Sequence, residues 1–162
     1  MVRNTPSPTS TDIASQLQAE RDALHAFVTL LETEQQALIA GQAEQLLALA
    51  DSKTRAVHAL NNLASARKNT LLAHGANNDS GGVEAWLQAH APDSLPVWHD
   101  IQNLAAHTQQ KNRSNGELIQ ARLKHNQQAL TVLRNAVNSA SGLYGPDGQP
   151  HLPTSGRTLG SG

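Results

Sequence analysis

The sequence contains no cysteine, which excludes disulfides and thiolate metal sites. Aromatic residues are nearly absent too: Phe27, Trp86, Trp98 and Tyr144 are the whole set. β-Branched residues are scarce while Ala, Leu and Gln abound, a mixture that gives little to a sheet core and favours helix. No apolar run approaches the roughly 18 residues needed to span a bilayer. The opening stretch "MVRNTPSPTSTD" has one Arg and no apolar h-region, so no secretory signal is expected. A formal net charge of −1 exerts no long-range pull on nucleic acid or on an anionic membrane. These absences predict a soluble cytoplasmic protein, all-α, with a core of Leu and Ala, no nucleic-acid partner and no direct membrane insertion.

Chemistry-bearing motifs are missing as well. The eight histidines (His25, His58, His74, His90, His99, His107, His125 and His151) form no H-E-x-x-H and no other i, i+4 pair that would share a metal on one helix face. No Gly-rich loop follows a strand to cradle a phosphate, and no Ser sits in a G-x-S-x-G elbow. A phosphotransfer bundle would carry a His closely followed by Lys and Gly on one exposed face, and none does. The carboxylates are scattered along helix surfaces. No cofactor, metal or catalytic residue is expected.

What is present is periodic. Residues 1–10, with Pro6 and Pro8, read as a flexible arm. A helix opens near Thr11 or Asp12, either of which can cap it. Ile13, Leu17, Leu24, Phe27, Leu31 and Leu38 follow a heptad seam whose remaining two slots hold Glu20 and Glu34. Gly41 then marks a tight turn. A second helix runs from Ala43 to about His74 with the stripe Leu46, Leu49, Val57, Leu60, Leu63 and Leu71, so the two form an antiparallel hairpin. "GGVEAWLQAHAPD" holds a two-turn third helix stopped by Pro92. The last helix opens at Asp93 or Ser94, tolerates Pro96 in its first turn, and runs to about Ala140 with one internal glycine, Gly116. At about 1.5 Å per residue it spans about 69 Å, against about 42 and 48 Å for the first two. Helical domain and tail divide at 140/141, because residues 141–162 are too rich in Gly and Pro to fold alone.

The length mismatch has a consequence. If Trp98 and Ile101 pack beside the hairpin, the later stripe of Leu118, Ile119, Leu123, Leu130, Leu133 and Val137 outlasts it and needs a partner. Homodimerisation through that stripe, or a helix broken near Gly116 that folds back, would also cover it. Charge favours the packing: the first helix is mainly acidic, the second and last mainly basic, though each exposed pair is worth only about 0.2–1 kcal/mol. The basic surplus on the last helix is open to an acidic client. The polar run "HTQQKNRSNGEL" places Thr108, Asn112 and Asn115 where apolar residues are due. Either a buried Asn fixes register there or the segment is exposed because its neighbours have ended, and the overhang favours exposure.

Three stretches in order, "LLETEQQALIAGQAEQLLALADSKTRAVHALNNLA", "NRSNGELIQARLKHNQQALTVL" and "LYGPDGQ", resemble the FlgN-type flagellar export chaperones over roughly residues 12–150. The resemblance implies an antiparallel coiled coil with a flexible C-terminal segment. It further implies cytoplasmic binding of hook–filament junction proteins, which are kept from premature assembly and delivered to the flagellar type III export gate. In such a protein Leu118, Ile119, Leu123, Leu130, Leu133 and Val137 would receive a client's amphipathic terminal helix. Tyr144, in a Gly-Pro turn, would dock on the gate component; the alternative reading of the same residues is a helix stop at Gly142, with Leu143 and Tyr144 tucked back over the last turn. Two rivals stand beside it: a self-associating structural coiled coil, and a histidine phosphotransfer bundle.

Overall fold

The structure, a computed structural model, describes residues 8–77 and 79–143. They form α1 (Pro8–Ala40), α2 (Ala43–Ala73), α3 (Ser80–His90), a 3₁₀ turn (Pro92–Ser94) and α4 (Leu95–Leu143), with no strand among the described residues. The all-α architecture, the hairpin, the short third helix and the long last helix are those expected. Some ends differ. α1 starts at Pro8, so residues 8–10 are helical rather than part of an arm, because proline is well suited to a first helical turn. Asp93 and Ser94 sit in the 3₁₀ turn that leads into α4, with the Ser94 N–H donating to the Ala91 carbonyl at 2.9 Å. α4 runs unbroken through Gly116 to Leu143, three residues past the expected end, which removes the folded-back alternative. The chain divides into two units at Ile119 and Gln120.

In the first unit α1 supplies the central seam. Ile13, Leu17, Glu20, Leu24, Phe27, Leu31, Glu34 and Leu38 are all buried, in steps of four and three. The two glutamates therefore belong to the core, and each is met by a cation from α2. Arg67 grips Glu20 with both arms of its guanidinium, at 2.6 and 3.2 Å, and lies 4.8 Å over the Trp98 ring of α4. Lys53 donates to both Glu34 oxygens at 3.0 and 3.1 Å. Fourteen residues separate the acids on α1 and the bases on α2, so the two pairs fit a single antiparallel register.

The ends of the hairpin helices use one device twice. Gly41 (φ 72°) and Gly75 (φ 82°) occupy the left-handed region. The N–H groups of Gln42 and Ala76 reach back to the carbonyls of Ala37 and Leu71, at 3.0 Å each, which completes a Schellman motif at each helix end. At the α2 end, Ala76 and Leu71 are both buried. Trp86 of α3 donates its indole N–H to the His74 carbonyl at 3.1 Å. Val83, Trp86 and Leu87 then join Ile13, Leu17, Leu24, Trp98 and Ile101 in one apolar cluster.

α3 is held close at its start. Asp79 caps it by accepting from the Gly82 N–H, and Gln102 of α4 donates to Ser80. A Cβ at Gly82 would overlap Asn77, 2.7 Å from its carbonyl oxygen and 2.9 Å from its Cα. Gly82→Ala should therefore destabilise the protein by about 1–3 kcal/mol, read as a lower urea midpoint with unchanged slope.

α4 runs beside α1 in the same direction. Arg21 pairs with Asp100 at 3.8 Å and Glu32 with Lys111 at 3.2 Å, both 79 residues apart in sequence. Asn115 closes the contact: it is 1% exposed, and its amide donates to the Leu31 carbonyl at 2.9 Å and to Glu34 at 3.0 Å. The expectation of an exposed polar segment fails at this residue and at Thr108, which is half-buried, because α1 extends to Ala40 and is still alongside. Asn112 is exposed, as expected.

Candidate functional site

A helix that stays dry on one face in water must have that face covered. The described part of α4 beyond Asn115 loses its cover within a few residues. Leu118 is half-buried, while its neighbour Ile119, about 100° further round the helix, is exposed.

Among the residues of the second unit whose burial is described, every one from Gln120 to Ser139 is open to solvent. Among them are Leu123, Leu130, Leu133 and Val137, which share one face because they are spaced by three, four or seven residues. Exposure of the large apolar side chains named here rises from 43% at Ile119 to 67% at Val132. Of the six expected residues, five are thus exposed and one, Leu118, is half-buried. Val132 was missed, since it falls outside the heptad stripe and only its valine identity in an exposed position signals it. Tyr144 lies outside the described residues.

The rest of the described surface offers less. Ile39, Leu47 and Leu72 are exposed, each off its own helix stripe. The α2 stripe is covered less than its periodicity implied: Leu46, Leu49, Leu60 and Leu63 are half-buried, Val57 is exposed, and Leu71 alone among its members is buried. An open groove of about 490 Å³ lies among α2, the start of α3 and α4, lined by Asn61, Lys68, Ser80, Trp98 and Gln102 together with Arg67. Arg67 is already committed to Glu20. Among the described residues no three His, Cys, Asp or Glu converge as metal ligands. His90 stacks on Trp86 at 4.7 Å, His74 contacts the Thr70 carbonyl at 2.7 Å, and His99 lies 3.4 Å from Glu84. These contacts give the three histidines structural surroundings. None of the described helices is long and apolar enough to cross a membrane.

The described surface thus leaves one bare apolar face, on the second unit. Comparison with known proteins identifies the family. The family model described as FlgN protein matches residues 1–151. The flagella synthesis protein FlgN of Salmonella typhimurium strain LT2 is 30% identical over 128 residues, covering 78% of this chain and 81% of that protein. The protein of the same name from Salmonella typhi matches to the same extent. No solved structure matches the chain. The chain belongs to the FlgN family, a family of flagellar synthesis chaperones.

Proposed function

We propose that the protein works in the cytoplasm as a type III flagellar export chaperone for hook–filament junction proteins. It holds a client's amphipathic terminal helix, keeps that client from assembling early, and delivers it to the export gate. The observation that carries this reading is the unbroken exposure of α4 from Gln120 to Ser139 with Leu123, Leu130, Leu133 and Val137 on one face. Such a face suits the helix-in-groove mode, in which anchors at heptad spacing enter the seam of a partner helix. Ile119 extends the apolar sequence one step toward the N-terminus, and Leu118 contributes from the flank. The function needs no bond-making step: covering the client's assembly surface is sufficient, and release requires only that the complex be of moderate affinity.

The export step is assigned to Tyr144, an aromatic ring between Gly142 and Gly145 that would contact the gate component while α4 holds the client. The test has two arms. A pull-down from flagellated cells with the full-length chain should recover hook–filament junction proteins, and recovery of none would remove the reading. A Tyr144→Ala variant should still bind client but fail to support its secretion. Loss of client binding in that variant would instead place Tyr144 in the client site.

A further inference from the structure

The apolar face of the distal part of α4 has one interruption. Ile119, Leu123, Leu130, Leu133 and Val137 follow alternating steps of four and three around a missing member, and the residue in that slot is Asn126. Asn126 is exposed and, with Ala129, Leu130 and Leu133, lines an open hollow of about 350 Å³. A leucine there would complete the stripe. An amide at a seam position weakens pairing with any helix that cannot hydrogen-bond to it, and fixes register with one that can.

Another asparagine of α4 already shows what such an amide donates to. Eleven residues earlier, about three helical turns, Asn115 donates to Glu34 at 3.0 Å and to the Leu31 carbonyl at 2.9 Å. Its partner, α1, is an amphipathic helix whose leucine seam is interrupted by a glutamate. Charge around Asn126 favours the same kind of partner. Between Glu117 and Leu143 the sequence has no carboxylate, while Arg122, Lys124 and Arg134 fall within that stretch. At about 100° per residue, Arg122 and Arg134 border the apolar face on opposite flanks. A second copy of this chain would bring the same stretch of bases without a carboxylate against it, which disfavours self-pairing.

We infer that this face takes an acidic amphipathic helix carrying a carboxylate in its own leucine seam opposite Asn126, with Arg122 and Arg134 meeting acids on that helix's flanks. Asn126 is then the residue that sets register and selects the client. The inference rests on the reading of this face as the client site.

The test uses the full-length chain and two synthetic 18-residue helices. Both have leucine at seam positions and glutamate on the flanks, and they differ at one central seam position, Glu or Leu. Asn126→Leu should shift the ratio of the two Kd values at least about tenfold toward the all-leucine peptide, because the seam carboxylate loses its donor. Arg134→Glu should weaken both peptides and flatten the salt dependence of binding. An unmoved ratio in Asn126→Leu overturns the inference, as does wild-type self-association through this face in light scattering. A Leu130→Asp/Leu133→Asp variant separates the two levels. If it abolishes peptide binding while the ratio stays unmoved, the client face stands and the role of Asn126 falls. If it leaves both peptides bound, the client face itself is elsewhere.

Discussion

Arg67→Met should destabilise the protein by about 3–5 kcal/mol, a large share of the roughly 5–15 kcal/mol that holds a domain together. Glu20 sits in the α1 seam at 5% exposure, between Leu17 and Leu24. Removing its partner leaves a carboxylate without its bidentate cation and takes the guanidinium off the Trp98 ring. The measurement is urea unfolding of the full chain. Changing both partners, Glu20→Met with Arg67→Met, should recover most of the loss or exceed wild type, since apolar replacement of a buried ion pair is often neutral or favourable. The second pair supplies an internal control. Lys53→Met should cost less, about 1–2 kcal/mol, because the Asn115 amide still donates to Glu34 and Lys53 is more exposed than Arg67. Equal losses at Arg67 and Lys53 would show that Asn115 contributes nothing to holding Glu34.

Leu130→Asp combined with Leu133→Asp should abolish client binding while leaving helicity and unfolding midpoint close to wild type. Both leucines are more than 60% exposed, so charging them removes little burial from the free protein. In a complex each would bury a leucine-sized surface worth about 1.5–3 kcal/mol. Together they account for about 3–6 kcal/mol, or two to four orders of magnitude in Kd. Calorimetric titration with a hook–filament junction protein, alongside circular dichroism of the free variant, checks both halves. Binding that survives within tenfold would place the site elsewhere. A large loss of helicity would mean that the face is packed in the free protein and not open to a client.

Periodicity made the hairpin, the third helix and the long α4 legible, because steps of three and four residues mark a helix face whatever covers it. Periodicity did not say how many neighbours would do the covering. α1 and α2 have comparable stripes in sequence, yet the α1 stripe is buried and most of the α2 stripe is half-open. Glu20 and Glu34 looked like flaws in a heptad; their matched spacing with Lys53 and Arg67 carried the register. Asn115 was misjudged because its burial depends on α1 running beside it, a contact between residues 84 apart in sequence. For the candidate site, the stripe was legible as far as residue type and spacing go, but neighbours in sequence parted company. Leu118 and Ile119 differ by one residue and lie on different faces, so an apolar pair reads as one feature in sequence and separates into two in the helix.

The wide sequence separation of the α1–α4 contacts also orders events in time. Contacts between α1 and α2 join residues such as Glu34 and Lys53, 19 apart, across the tight turn at Gly41. Those between α1 and α4 reach across 79 to 84 residues. Loop-closure entropy favours the short connection, and helical hairpins form quickly. During synthesis at roughly 5–20 residues per second, the partner of Leu31 and Glu34 leaves the ribosome about 4–16 seconds after they do. The hairpin therefore waits, with the α4 side of α1 uncovered, for the helix whose far end carries the exposed apolar side chains. A nascent chain held at that stage is the form most exposed to proteolysis and to pairing with the wrong amphipathic helix.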